Sequence, residues 1–343
     1  MKSTTGEAEF IIGIDFGSSE TSAAFCDLKS DYKKDLDILP DLKVIQSAVA
    51  ILAQDGKETI CIGEAAIQNA SYSKDFQIGF RKRPSEMNLS ERNRMVAFMH
   101  GVYIEILHRH PEFATRPHVV YMAGHTSDLV FEKEEKEYLK MAEYAGLPIA
   151  GIVKRYNAAI FRAISQPDSH VNKFCKNGFL LVDYGANTID FVYINSSLSK
   201  PIYNGCPLGA SAIERILLRY AMENPSDAYM PEFAKLYGNN EESPPYMLLL
   251  DRFRAAKERF YWDEHKRFNV IFDYGELTST GNTQIDGFGG IGLPREKINQ
   301  MAQTENAQGV IAIVPPFDYC EVEDILNEAK AKNEKAFILI LDG

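Results

Sequence analysis

The chain has 343 residues, 45% hydrophobic and 25% charged, an ordinary globular balance with length enough for two domains and sizeable cores. A formal net charge of −11 argues against general nucleic-acid binding by the main body, because a phosphate backbone is met by a basic face. No apolar run reaches the roughly 18 residues of a membrane helix, and the start MKSTTGEAEF lacks a signal-peptide core, so neither a membrane partner nor export is expected.

The first patterned stretch is Ile11 to Phe25, IIGIDFGSSETSAAF. An apolar strand ends in Asp15, a turn of Gly17, Ser18, Ser19 and Glu20 follows, and a second apolar strand returns from Thr21. Small residues let backbone N–H groups approach phosphate oxygens, and hydroxyls add donors. A carboxylate beside such a turn suits a hydrated Mg²⁺, which keeps most of its waters. The same pattern also fits an ordinary hairpin with a Ser-rich turn.

Lys29 to Asp35 reads as a polar loop, Val44 to Leu52 as a strand, and Asp55-Gly56 as a turn into a strand over Thr59–Ile62. Gly63 to Ala70 reads as helical. Arg81, Lys82 and Arg83 form a basic cluster before Pro84, most simply a solvated charge run. Ser90 is placed to cap a helix that runs to His110, with Pro111 as its stop. Met95, Phe98, Met99, Val102, Ile106 and Leu107 recur at helical spacing and should face a core. His108 and His110 stand two apart and do not share a helix face, which argues against a metal there.

His118 to Met122 reads as a strand, Leu129 to Ala145 as a helix closed by Gly146, Ile149 to Val153 as a strand and Asn157 to Ile164 as a helix. This alternation indicates an α/β domain with crossover connections. A lobe boundary fits the polar stretch Gln166–His170. The opening pattern then recurs in FLLVDYGANTID: an apolar strand ends in Asp183, and a turn of Gly185, Ala186, Asn187 and Thr188 leads into FVYIN. Two Asp-ended hairpins, each opening an α/β half, suggest an internal duplication, and two phosphate-cradling turns facing one cleft would make a nucleotide site.

Leu208-Gly209-Ala210-Ser211 leads into a helix over Ala212–Met222, a phosphate contact at a helix N-terminus or a close helix–strand packing. Asn239 to Pro245 reads as a loop, Tyr246 to Trp262 as a helix, and Phe268 to Phe272 as a strand. LPREKINQ runs from a strand end into a helix. Cys26, Cys61, Cys175, Cys206 and Cys320 are odd in number and scattered, with no CxxC pair, which points to free, mostly buried thiols and a reducing cytoplasmic setting.

GIDFGSSET, VDYGANTIDFVYI, LGASAIERIL and LPREKINQM together resemble the actin-like ATPase superfamily, most closely the nucleotide-binding domain of DnaK-type heat-shock chaperones, over about residues 11–301. The resemblance implies two lobes, each a mixed sheet flanked by helices, with ATP or ADP and Mg²⁺ in the cleft between them. Lobe I would span 1–170 and lobe II 171–304, leaving 305–343 as a tail. It implies that Asp15 and Asp183 lie around the metal, through water, and around the attacking water, with Thr188 the third catalytic candidate. Gly17, Ser18, Ser19 and Glu20 match the first phosphate loop. Gly185, Ala186 and Asn187 match the second, where the family has successive glycines. Gly209 is a further phosphate contact, and Lys257 in RAAKERF matches a lysine that reaches the ribose. Arg254 and Glu258 stand where the family has an acid and a base, with the charges exchanged.

Two departures bear on chemistry. In GIVKRYNAAIFRA, Arg155 stands where the family has a catalytic glutamate before its helix. A cation cannot accept the proton of the attacking water, and an arginine there is suited to pairing with phosphate. Arg81 or Lys82 is nearest to the family's catalytic lysine. The expectation is a DnaK-related ATP/Mg-binding protein with slow or absent hydrolysis, without the β-rich peptide-binding segment of a full chaperone and with an unassigned protein partner. A catalytically degenerate nucleotide-sensing scaffold is the second reading. The tail ENAQGVIAIVPPFDYCEVEDILNEAKAKNEKAFILILDG resembles the connector of SpoU-type RNA ribose methyltransferases, which makes a fragment of such a fusion the third. Sugar-kinase activity lacks a sugar-binding acid, and an α/β protein that has lost its ligand is the remaining option.

Overall fold

The computed structural model describes residues 8–30, 32–124, 128–165, 179–194, 201–206, 209–262, 267–303 and 337–342. The chain divides into two units, Met1–Phe161 and Arg162–Gly343. Both are mixed α/β. The division falls within the helix Arg155–Ser165, and the stretch Gln166–His170 lies outside the described residues.

In the first unit, alternation builds strand β1 (Phe10–Phe16). Phe10, Ile12, Ile14 and Phe16 are buried, while Ile11, Gly13 and Asp15 take the opposite face. β2 (Glu20–Asp27) returns antiparallel, with Phe16 opposite Thr21 and Asp15 opposite Ser22. β3 (Tyr32–Asp35) and β4 (Val44–Gln46) both pair with β2. Part of the expected polar loop at Lys29–Asp35 is therefore an edge strand. Its exposed Lys33 and Lys34 are residues that guard edges against further pairing, and they hide the strand from a hydrophobicity reading. β5 (Ala48–Gln54), β6 (Lys57–Ile62) and β7 (Ser73–Ile78) form a separate antiparallel sheet in the order β6-β5-β7. Asp55 and Gly56 both have positive φ, the two-residue turn that matches strand twist.

The expected helix at Gly63–Ala70 is Glu64–Gln68 followed by a 3₁₀ turn, Ala70–Tyr72. The long helix is Leu89–Arg109. Its cap is Asn88 rather than Ser90: Asn88 Oδ1 accepts from Glu91 N at 3.0 Å and Glu91 Oε2 accepts from Asn88 N at 2.9 Å. Met95, Phe98, Met99, Val102 and Ile106 are all buried in the core cluster that also holds Phe10, Ile12, Ile14 and Phe16, as the spacing requires, and Leu107 packs partly buried beside it. Pro111 ends this helix and opens another short one, Pro111–Thr115, where its missing N–H is harmless. β8 (His118–Gly124) lies parallel to β1, and β9 (Ile149–Lys154), reached through the helix Asp128–Tyr144, lies parallel to β8. The sheet order is β3-β2-β1-β8-β9.

The second unit repeats that plan. β10 (Phe179–Tyr184) and β11 (Ile189–Ile194) form a hairpin, β12 (Ile202–Cys206) extends it antiparallel, and a final strand lies parallel to β10. The helices Ser211–Glu223, Met230–Tyr237 and Pro244–Trp262 come next, the last beginning inside the expected loop at Asn239–Pro245. An antiparallel ribbon follows, β13 (Arg267–Asp273) with β14 (Phe288–Pro294). Phe253, Phe260, Phe268 and Phe272 pack between that ribbon and the last of these helices. The helix Arg295–Gln303 closes the segment. The fourth strand of the sheet is β15 (Phe337–Asp342), which pairs along the whole of β10 from Phe179–Phe337 to Tyr184–Asp342. The AFILILDG end of the tail thus contributes a strand to this unit, while 304–336 lie outside the described residues. No helix among the described residues is long and apolar enough to cross a membrane.

The cap assignment gives a direct check. Asn88→Ala should lower unfolding stability by about 1 kcal/mol in urea titration, and Ser90→Ala by under about 0.5 kcal/mol. Equal effects would show that Asn88 does not cap the helix.

Candidate functional site

The first group of candidates sits at the end of β1. Period-two alternation puts Asp15 on the half-exposed face, while the turn beyond it is held by its carbonyls. Ser47 Oγ donates to Gly17 O at 2.8 Å, Ser47 N to Ser19 O at 2.8 Å and Phe80 N to Ser18 O at 2.8 Å. Ser47 Oγ also meets buried Thr21 Oγ1 at 2.9 Å. Three successive carbonyls of the turn are thus fixed from one side. The sequence gives Ser47 no role, because its partners are distant in the chain and its type is common.

Arg155 opens the helix that follows β9, and its Nη2 donates to Asp15 Oδ1 at 2.8 Å. The two side chains are 34% and 38% exposed, so the pair adds no more than about 1 kcal/mol to stability. The effect on ligand chemistry is larger. At an effective dielectric near 20, unit charges 4 Å apart interact by roughly 4 kcal/mol before solvent screening, and a divalent ion doubles that. As placed, Asp15 fits a cationic side chain and does not fit a hydrated Mg²⁺. Burial pushes the Tyr138 phenol beside this pair up to about 12, with Arg155 opposing and Asp15 reinforcing the shift. Lys82, one of the two candidates for the family's lysine, pairs with Glu91 at 2.7 Å, next to the cap of the long helix.

The second group lies in the other unit. Asp183 is 4% exposed at the end of β10 and stands directly opposite Asp190 of β11. Facing carboxylates repel, and Thr188 Oγ1 donates to Asp190 Oδ2 at 3.0 Å. Asp190 lies among these candidates, and the sequence alone assigns it no role. Its signal was present: it and Asp183 flank the turn symmetrically. Gly185 N donates to Thr188 O at 2.9 Å and closes the turn.

Gly209 is brought against this turn. A Cβ at position 209 would lie 2.2 Å from the carbonyl carbon and oxygen of Ala186 and 2.3 Å from Asn187 N. Both are backbone groups, so only glycine fits. Ala210 N donates to Gly185 O at 3.1 Å and Ser211 N to Ala186 O at 2.8 Å, while Ser211 Oγ reaches Asn187 Oδ1 at 3.2 Å. The separate pieces VDYGANT and Gly209–Ser211 form one backbone cradle.

Lys257 joins the same cluster. Its Nζ donates to Ala210 O at 3.1 Å and to Glu214 Oε2 at 2.7 Å, and both charged side chains are buried. Glu214 was missed because its partner is on another helix and no local pattern marks it. Arg254 Nε and Glu258 Oε1 pair along the helix at 2.9 Å. Of the expected residues, Asp15, Gly17, Ser18, Ser19 and Arg155 are gathered in the first unit. Glu20, the first residue of β2, is exposed at the same turn. Asp183, Gly185, Ala186, Asn187, Thr188, Gly209 and Lys257 are gathered in the second.

No family model matches the chain. A stretch of 50 residues is 46% identical to a putative TrmH family tRNA/rRNA methyltransferase, YacO, of Bacillus subtilis (strain 168). It covers 15% of this chain and 20% of that relative, so the chain spans about a fifth of the protein it matches.

Removing one partner of a buried ion pair strands the other charge. Lys257→Met should therefore cost about 3–5 kcal/mol in chemical unfolding, and Lys257→Met with Glu214→Leu clearly less. Additive losses would show that the two side chains are not coupled.

Proposed function

We propose that the chain is an actin-like, DnaK-related nucleotide-binding protein that takes ATP or ADP and hydrolyses ATP slowly or not at all. The observation that carries this reading is the repeated arrangement. Each main sheet has a central strand that ends in an aspartate and turns through small residues. In the second unit Gly209 brings another backbone segment against that turn. Turns of small residues let backbone groups approach phosphate oxygens closely. The turns after Asp15 and Asp183 would each contact phosphate, and Lys257 would lie toward the ribose. Hydrolysis would proceed by in-line attack of water on the terminal phosphoryl group, driven by positioning and charge neutralisation. Arg155 in the glutamate's place removes a proton acceptor, which favours binding and sensing over turnover.

Titration calorimetry of the full chain with ATP should give saturable binding. Asp183→Ala should change the affinity by about tenfold or more, the size expected for a charged group at a ligand site. Saturation that is absent, or indifferent to Asp183, would sink the reading.

A second reading rests on the 50-residue match: part of the chain derives from an RNA methyltransferase. Binding of S-adenosylmethionine separates the two. Under the nucleotide reading the cofactor gives no heat, and under the methyltransferase reading it binds while ATP does not.

A further inference from the structure

We infer that Arg155 takes the place of a divalent ion at Asp15, so that this chain binds its nucleotide without a divalent metal. The inference rests on the nucleotide reading above and on one geometric fact, the 2.8 Å bond from Arg155 Nη2 to Asp15 Oδ1.

Three features make the pair more than an incidental surface contact. Arg155 cannot drift away from the aspartate, because it opens a helix directly after β9, which is tied through β8 to β1. Ligand-driven breakage of the bond would still leave a permanent cation within side-chain reach of Asp15. Arginine does not lose its proton in proteins, so no accessible pH removes that cation. The pair is also partly shielded from water, with Arg155 34% and Asp15 38% exposed.

The chemistry of the ligand follows. A hydrated divalent ion prefers a bare carboxylate that accepts hydrogen bonds from its waters. Asp15 instead accepts from a guanidinium. A nucleotide without metal carries more negative charge, and a fixed arginine beside the first turn is matched to it, since guanidinium pairs well with phosphate oxygens. The ligand class is therefore a free nucleoside di- or triphosphate rather than its magnesium complex. That also accounts for an arginine where a carboxylate would serve catalysis. The charge that a metal would bring is carried by the chain.

The test uses the full-length protein and two probes. ATP is titrated calorimetrically in excess Mg²⁺ and in EDTA, for the wild type, Arg155→Glu and Arg155→Lys. Mn²⁺ alone is titrated with detection by electron paramagnetic resonance, for the wild type, Arg155→Ala and Arg155→Ala with Asp15→Asn. The wild-type ATP affinity should change by less than about threefold on chelation, while Arg155→Glu should lose about tenfold or more, and Arg155→Lys should behave like the wild type. Arg155→Ala should bind Mn²⁺ at least about tenfold more tightly than the wild type, and Asp15→Asn should abolish the gain. A wild-type affinity that collapses in EDTA overturns the inference while leaving nucleotide binding intact. An Arg155→Ala protein with no gain in Mn²⁺ binding also overturns it. Absence of ATP binding in both buffers overturns the nucleotide reading and the inference together. The cation-preserving Arg155→Lys separates a charge effect from a folding defect.

Discussion

Each main sheet depends on one strand that is paired on both edges and pairs differently on each. β1 is antiparallel to β2 and parallel to β8, and β10 is antiparallel to β11 and parallel to β15. A strand in that position has no free edge, and its interior favours apolar residues: Ile12 and Ile14 in one unit, Leu180, Leu181 and Val182 in the other. Polarity is tolerated only where the ladder ends. Asp15 and Asp183 stand one residue before those ends, each leading into a turn of small residues. The candidate site thus arises from the constraint that makes the sheets: the first place a carboxylate can stand is also where the chain must reverse.

The two units satisfy this constraint with different electrostatics. In the first, Asp15 is half-exposed and balanced by Arg155. In the second, Asp183 is buried and faces another carboxylate, Asp190, which Thr188 engages. Lys257 and Glu214 add a buried ion pair beside the second turn. Such a pair contributes little net stability, and its value lies in fixing Ala210 and the turn it contacts.

Much of the fold was legible because the signals are local. The alternation in FIIGIDF and the helical spacing from Met95 to Ile106 each report a buried face within a few residues, and Asp55-Gly56 names its own turn. Failures came where a local rule had a rival. Asn88 and Ser90 are both good caps, and only the position of Glu91 decides between them. The Tyr32–Asp35 strand carries edge lysines that read as loop. In the site, the turns were visible but their partners were not. Ser47, Glu214 and the pairing of Arg155 with Asp15 join residues far apart in the chain, and no spacing rule encodes them. Arg155 was conspicuous for its charge, yet the sequence pointed to phosphate as its partner where the folded chain supplies a carboxylate.

The pairing of β10 with β15 sets the order in which the molecule can be assembled. The most distant strand pairing of the first unit, β1 with β8, joins Phe10 to His118 and is complete once Met122 has been made. The second unit cannot close its sheet that way. Phe179 waits for Phe337, and in the interval β10 has only the β11 side of its ladder. Long-range parallel closure of this kind is slow, because the entropy of the intervening loop is lost before any contact is gained. During synthesis the second unit therefore carries an open, apolar strand edge long after the first has matured. The last strand of the described chain acts as a latch on the sheet that holds Asp183.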